Sequence, residues 1–227
     1  MNAHARIKSP VAETSLIAER GRRGCALRLV GEGDSTLEQS FFDVAVIGLG
    51  YVGLPLCLAF SKAKSRVLGL DVDEAKVTKL QAGISYIKHI ADEEVQEARE
   101  QELLTASADF SQASQSDAIL ICVPTPLTVN RTPDLSYVES TARALAPHIS
   151  SGQLIVLEST TYPGTTDEVL KPILEEGSGL VAGKDFFLAY SPEREDPGNP
   201  KSNFSTILPP STYSHPKHVP QLLESVM

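Results

Sequence analysis

The sequence is short of cysteine, of positive charge and of long apolar runs. Its three cysteines, Cys25, Cys57 and Cys122, lie in unrelated settings, so they form neither a disulfide framework nor a zinc-binding spacing. A net charge of −9 argues against nucleic acid or an anionic membrane as the main partner. No apolar run approaches the roughly 20 residues that span a bilayer. Together these absences favour a protein of the reducing cytoplasm.

The composition that remains is that of an ordinary globular protein. The 227 residues are 41% hydrophobic and 22% charged, and a chain of this length buries roughly 70% of the surface that its unfolded form exposes. The negative charge does not argue against a phosphorylated ligand, because backbone N–H groups at a helix start can hold a phosphate.

The two ends of the chain differ from its middle. Residues 1–40 combine clustered arginines with scattered glycines and lack the apolar core of a secretory signal, so we expect a disordered extension there. In residues 202–227, prolines among Ser, Thr and His leave no usable periodicity, and we expect an irregular tail. The predicted folded domain is therefore residues 41–201.

Apolar runs alternate with amphipathic segments through this middle region. Runs rich in Val, Ile and Leu are typical of buried parallel strands, and their alternation with helices predicts an α/β fold with a doubly wound parallel sheet of the Rossmann kind. The predicted strands are residues 42–47, 66–70, 118–123, 154–157 and 186–190, and the predicted helices are residues 52–64, 73–81, 92–102, 134–146 and 168–175.

The most specific local pattern is a glycine loop, GLGYVG, between the first predicted strand and the first predicted helix. Gly48 is expected to make the tight turn, Gly50 to let the backbone approach a pyrophosphate, and Gly53 to permit close packing of helix on strand. The helix start adds unpaired N–H donors and positive potential. We predict that Tyr51 and Val52, within the loop, also contact the cofactor.

An acidic residue stands where a dinucleotide-binding fold has one. Asp71 ends the second predicted strand, about 20 residues after the glycine loop. Its carboxylate is expected to accept hydrogen bonds from the adenosine ribose and to repel a 2′-phosphate, which favours NAD over NADP. Lys76, one turn further on, is predicted to reach an adenosine hydroxyl or a phosphate, with a solvated lysine as the alternative. Asp71 and Asp73 have no third ligand, so we predict no metal site there.

Three further motifs each follow a predicted strand: VPTP at residues 123–126, ESTTYPG at 158–164 and SPEREDPG at 191–198. Together with GLGYVGLPL they resemble the UDP-glucose/GDP-mannose dehydrogenase family over residues 42–201. The ESTTYPGTT and SPER forms are most similar to those of its UDP-N-acetylglucosamine 6-dehydrogenases. Because ligands of open α/β sheets bind outside the carboxyl ends of the strands, these loops are expected at one edge of the sheet.

The resemblance implies oxidation of the C6 alcohol of a UDP-sugar to the uronic acid by NAD, in the supply of polysaccharide precursors. It implies that Thr125 approaches NAD, that Thr160 contacts the cofactor and polarises a water or stabilises a developing alkoxide, and that Glu193 acts in acid–base steps. Such chemistry uses an uncharged donor beside an oxyanion and a carboxylate that activates water. Thr161 is the alternative to Thr160. In the alternative interpretation these residues have no catalytic role: Thr125 and Thr160 only cap turns, and Glu193 is an exposed acidic residue of a loop.

The nucleophile that the resemblance implies has no match in the sequence. In the family, a cysteine of a carboxy-terminal domain holds the thiohemiacetal and thioester intermediates. Here Cys57 lies in a predicted helix and Cys122 ends a predicted strand, both as core residues. We therefore expect a cofactor half, shortened by a frameshift or early stop near Ile207 and inactive by itself. The family homodimer is uncertain here, because its central helix has no counterpart.

Other interpretations of the activity stay open at this point. One is a catalytically incomplete NAD-binding remnant, and another is a UDP-glucose or UDP-N-acetylmannosamine dehydrogenase. A further alternative is a hydroxyacid dehydrogenase with the same fold. The STTYPG and SPER motifs argue against it. His215 and His218 have no further ligand partners, so no metal site is expected in the tail.

Overall fold

The residues that the computed structural model describes are 15–20, 25–30, 41–129 and 132–191. The chain divides into two compact units, Met1–Gln39 and Ser40–Met227. In the first unit, β1 (Ser15–Arg20) pairs antiparallel with β2 (Cys25–Val30). A strand pair thus lies inside the segment for which the sequence predicted a disordered extension. The limits of the three predicted regions stay a prediction, and residues 192–227 lie outside the described residues.

A six-stranded sheet forms the centre of the described part of the second unit. Its strands are β3 (Phe42–Ile47), β4 (Val67–Leu70), β5 (Leu104–Ser107), β6 (Ser116–Ile121), β7 (Leu154–Leu157) and β8 (Phe187–Tyr190). Their order is β5-β4-β3-β6-β7-β8, and all neighbours run parallel. The winding direction reverses between β3 and β6. This is the doubly wound Rossmann order, which confirms the predicted fold class.

Helices connect these strands as the sequence predicts. Within the described residues the α-helices are α1 (Gly53–Lys62), α2 (Glu74–Gln81), α3 (Asp92–Glu100), α4 (Ser136–Leu145) and α5 (Lys171–Ser178). The first four differ from their predicted bounds by no more than two residues. The last predicted helix differs more, because a π-helical segment, Thr165–Leu170, precedes α5.

Both faces of the sheet are buried, which explains why its central strands are almost continuously apolar. Successive residues of a strand point to opposite faces, so Val44 and Val46 join one core cluster whereas Ala45 and Ile47 join the other. The first cluster includes side chains of α1, α2 and α3, and the second includes side chains of α4 and α5. The sheet is therefore the middle layer of three.

The edge strand β5 was absent from the sequence prediction. Its four residues, LTAS, alternate between buried and more exposed positions and include two hydroxyl side chains. A run this short and polar has no distinct strand pattern. It becomes a strand because β4 offers it a complete parallel pairing partner, from Val67↔Leu104 to Leu70↔Ser107.

The amino ends of β6 and β7 are joined by a buried glutamine. Gln153 is 3% exposed. Its Nε2 donates to the carbonyl oxygens of Ala113 and Ser116 at 2.8 and 2.7 Å, and its Oε1 accepts from the Ser150 N–H at 2.7 Å. One side chain thus satisfies three backbone groups at the edge opposite the motif loops.

The substitution Gln153→Leu is expected to lower the free energy of unfolding by about 2–4 kcal/mol, because it removes three hydrogen bonds between a buried side chain and the backbone. The measurement is the urea midpoint of the two proteins. The matched control is Gln115→Leu, at an exposed glutamine nearby, with an expected change of about 0.5 kcal/mol or less. Equal losses in the two variants would contradict the role given to Gln153.

Candidate functional site

The four sequence motifs follow β3, β6, β7 and β8, at the carboxyl edge of the sheet. Parallel strands place these ends side by side, and the loops after β3 and β6 flank the point where the winding direction reverses. A crevice at this point is where open α/β sheets bind their ligands. Of the motif after β8, only Ser191 is described, and its N–H donates to the Leu157 carbonyl oxygen at 3.0 Å. Glu193 lies outside the described residues.

Two glycines of the loop after β3 are required by the protein itself. Gly48 has φ +92°, and a Cβ there would lie 2.7 Å from the carbonyl oxygen of Cys122. A Cβ on Gly53 would lie 1.9 Å from the carbonyl oxygen of Gly48, which is far inside contact distance. Gly48 therefore makes the turn and Gly53 permits the close approach of α1 to β3, as the sequence predicts.

Gly50 is different, because a Cβ there would meet no atom within 4 Å. The protein's own packing therefore does not require glycine at this position. Open space beside the backbone fits the expectation that a pyrophosphate approaches Gly50 closely. The amino end of α1 supports the same ligand: in the described part of the chain its N-cap, Val52, makes no side-chain capping bond, and the first turn holds no acidic residue.

Tyr51 and Val52 lie at the start of α1 in different environments. The Tyr51 side chain is exposed, and its ring stacks against that of His89 with centroids 6.3 Å apart. Val52 is half-buried and packs against the core cluster to which α1 contributes side chains. The predicted contacts of both residues with a cofactor stay predictions.

Asp71 is buried at the end of β4, with only 5% of its surface exposed. Its Oδ2 accepts from the Leu49 N–H at 2.8 Å and from Lys76 Nζ at 2.9 Å, and its Oδ1 accepts from the Asp73 N–H at 2.9 Å. A carboxylate has about four lone-pair sites, so Oδ1 keeps capacity for one more donor, such as a ribose hydroxyl. The Lys76 ammonium group is paired with Asp71, and its predicted contact with an adenosine hydroxyl or a phosphate stays a prediction.

The second carboxylate of the DVD sequence has a structural role. Asp73 is the N-cap of α2, and its side chain accepts from the Ala75 N–H at 3.0 Å. Capping of this kind explains an aspartate here without a ligand. No group of three or more His, Cys, Asp or Glu within the described residues is arranged to hold a metal ion.

The loops after β6 and β7 are tied together by two hydroxyl groups. Thr125 Oγ1 donates to the Thr160 carbonyl oxygen at 2.7 Å, and Ser159 Oγ donates to the Val123 carbonyl oxygen at 2.6 Å. The first bond leaves the Thr160 side chain exposed. Thr161 Oγ1 is buried and has no hydrogen-bond partner among the described residues. Ser159 was not singled out from the sequence, although it lies within the quoted ESTTYPG motif.

Neither Cys57 nor Cys122 has the surroundings of a nucleophile. Cys57 is completely buried in α1, and burial raises the pKa of its thiol far above the usual value. Cys122 is buried directly after β6. A thiol must ionise to attack, so Cys57 is inert, and the prediction that both residues belong to the core is confirmed.

Sequence reasoning also missed Tyr86, whose hydroxyl donates to the Leu49 carbonyl oxygen inside the glycine loop. The residue lies in the connection between α2 and α3, which carries no recognisable motif. The only local signal was an aromatic residue in a short stretch of mixed polar and apolar residues, SYIKHI, and that is too common to indicate a site.

The strand order, the glycine loop at the switch point and the buried acid after β4 define a dinucleotide-binding Rossmann domain of the dehydrogenase class. Similarity to known proteins specifies the class further. A model of the NAD binding domain of the UDP-glucose/GDP-mannose dehydrogenase family matches residues 42–207. The chain therefore belongs to this family, and its cofactor is NAD.

Relatives support this membership in sequence and in structure. UDP-N-acetyl-D-glucosamine 6-dehydrogenase of Pseudomonas aeruginosa is 35% identical over 183 residues, which are 81% of this chain and 42% of that protein. UDP-N-acetyl-D-mannosamine dehydrogenase of Escherichia coli K12 is 37% identical over 166 residues, which are 70% of this chain and 39% of that protein. The crystal structure of a ternary complex of GDP-mannose dehydrogenase from Pseudomonas aeruginosa has a TM-score of 0.64 at 33% identity, covering 67% of this chain and 36% of that one.

The chain thus matches about two fifths of the length of these curated relatives. Among the helices in the described ranges, none has the length and apolar character needed to cross a bilayer.

Alanine at Gly50 and at Gly53 is expected to have opposite effects. Gly50→Ala should leave the melting temperature nearly unchanged and weaken NAD binding, because the added methyl group fills space intended for a pyrophosphate. Gly53→Ala should lower the melting temperature by several degrees, because its Cβ collides with backbone. For each variant, thermal melts measure the melting temperature, and calorimetric titration measures the affinity for NAD. Unweakened NAD binding by Gly50→Ala would count against a pyrophosphate at this loop.

Asp71→Asn is expected to weaken NAD binding and to narrow the preference for NAD over NADP by about tenfold, since it removes the charge that repels a 2′-phosphate. The ratio of the two dissociation constants is the quantity to measure. Asp73→Asn is the control, because asparagine is an equally good N-cap and the ratio should not change. A ratio that is the same in Asp71→Asn as in the parent chain would refute this role.

Proposed function

We propose that residues 42–207 supply the cofactor half of an NAD-dependent nucleotide-sugar 6-dehydrogenase that oxidises the C6 alcohol of a UDP-sugar in the cytoplasm. The proposal rests chiefly on one observation: the glycine loop and the loop after β6 flank the switch point of the sheet, and the loop after β7, which carries the exposed Thr160 side chain, is hydrogen-bonded to the loop after β6. Family membership and relatives named as UDP-sugar dehydrogenases support it.

Each motif has a separate task in this proposal. When bound, NAD accepts the hydride that leaves C6. Asp71 accepts a hydrogen bond from a ribose hydroxyl on its remaining lone pair, and the start of α1 binds the pyrophosphate. Thr125 holds the Thr160 carbonyl, and this bond fixes the backbone from which the Thr160 hydroxyl projects.

The exposed Thr160 hydroxyl is the proposed donor to the reacting oxygen. A neutral donor stabilises a developing alkoxide without adding a charge that has to be moved during the reaction. Glu193 is proposed to activate water when the acyl intermediate is hydrolysed, as a carboxylate does in general base catalysis. In the sequence, Glu193 follows the end of β8 at Tyr190 by three residues.

UDP-N-acetylglucosamine is the substrate that we propose first, because the ESTTYPG and SPER motifs are most similar to enzymes acting on it. UDP-N-acetylmannosamine and UDP-glucose are the alternatives. The relatives named for the N-acetylglucosamine and N-acetylmannosamine sugars are 35% and 37% identical to this chain, so identity alone does not separate them.

A second candidate function is NAD binding without turnover. The observation that favours it is the burial of Cys57 and Cys122, which makes neither suitable for holding a thioester. Under this alternative the described domain binds the cofactor, and complete oxidation to the uronic acid depends on a thiolate from another source.

The two functions are separated by measuring NADH formation with each of the three UDP-sugars alongside calorimetric titration with NAD. We expect the 227-residue chain to bind NAD and, by itself, to complete no oxidation. Formation of two NADH per sugar would contradict this expectation and establish the enzyme directly. Absence of NAD binding by the folded chain would refute both functions.

A further inference from the structure

The backbone of Leu49, between the first two glycines of the loop, is held from both sides by side chains. Its N–H donates to Asp71 Oδ2 at 2.8 Å, and its carbonyl oxygen accepts from the Tyr86 hydroxyl. The residue is completely buried. Neither partner is near in sequence, since Asp71 ends β4 and Tyr86 lies between α2 and α3.

The Leu49 side chain is confined as well. It packs over Gly69 of β4, where a Cβ would lie 2.9 Å from Leu49 Cδ2 and 3.7 Å from Cys57 Sγ. Leu49 therefore has little freedom to rotate or shift, and any motion of its peptide groups has to break the bonds to Asp71 and Tyr86.

Holding the Leu49 carbonyl also orients the next N–H group. The peptide bond is planar and trans, and the structure contains no cis peptide among the described residues. The C=O of Leu49 and the N–H of Gly50 therefore point in opposite directions. Since the carbonyl faces Tyr86, the Gly50 N–H faces away from it, in the loop where a pyrophosphate is expected.

The segment that carries Tyr86 is itself ordered by local contacts. The Ser85 N–H donates to Asp92 Oδ1 at 2.7 Å, and the Ile87 N–H donates to Ser85 Oγ at 3.1 Å. Ile87 and Ile90 are buried in the core. The same segment contacts the glycine loop a second time, through the stack of His89 on Tyr51.

We propose that Tyr86 is a positioning residue for NAD: its hydroxyl orients the Leu49–Gly50 peptide so that the cofactor's pyrophosphate meets a preformed loop. The phenol donates only while it is protonated. Burial raises the pKa of Tyr86 above its usual value, and the nearby Asp71 carboxylate raises it further. The group therefore stays a donor throughout the neutral range of pH.

The test is Tyr86→Phe in the 227-residue chain, titrated with NAD, ADP and adenosine. Phenylalanine keeps the ring and removes only the donor. We expect the dissociation constants of NAD and ADP to rise about five- to tenfold and that of adenosine, which has no pyrophosphate, to change less than twofold. Equal weakening of all three ligands, or no weakening of NAD, would overturn the proposal.

Tyr137→Phe is the matched control, because Tyr137 is an exposed tyrosine of α4 and its variant should bind all three ligands as the parent chain does. Melting temperatures without ligand are compared for both variants. A second measurement needs no variant: the Gly50 amide resonance of the parent chain should be sharp both without and with NAD. A resonance that sharpens only with NAD would show that the loop is not preformed and would overturn the proposal.

Discussion

The buried carboxylate of Asp71 is the contact on which the site depends. It closes the gap between the end of β4 and the glycine loop after β3 by accepting the Leu49 N–H, and it accepts the Lys76 ammonium group and the Asp73 N–H as well. A carboxyl group at this depth is tolerated only when hydrogen-bond donors surround it. The donors also fix its orientation. The acid that we propose for ribose recognition is thus also a structural support of the glycine loop.

The loops on the other side of the switch point are also held by hydrogen bonds from side chains to the backbone. Thr125 and Ser159 donate across to backbone carbonyls of each other's loops, so that the segments after β6 and β7 form one unit. The Cys122 carbonyl in turn lies where any side chain at Gly48 would collide with it. Loops that are braced in this way need little reordering when a ligand binds, which lowers the entropic cost of binding.

Much of this arrangement was predictable because its causes are local. Gly48 and Gly53 are required by a positive φ and by a backbone contact between residues close in sequence, and the apolar run of β3 reflects burial on both faces. The short strand β5 was not predictable, since LTAS becomes a strand only beside β4. Ser159 and Tyr86 were missed for the same reason: each hydroxyl acts on a carbonyl more than thirty residues away.

The sequence by itself determined the Rossmann fold, the NAD-dependent family and the positions of the four motif loops. It did so because strand periodicity, turn sterics and motif order depend on residues that are close together in the chain. Only the tertiary structure decided how those loops are held. It brought Asp71 to the N–H of Leu49 and Tyr86 to its carbonyl oxygen, and it buried Cys57 where its thiol cannot ionise readily. Contacts of this kind depend on which chain segments come together in space, and a single sequence carries no periodic signal for them.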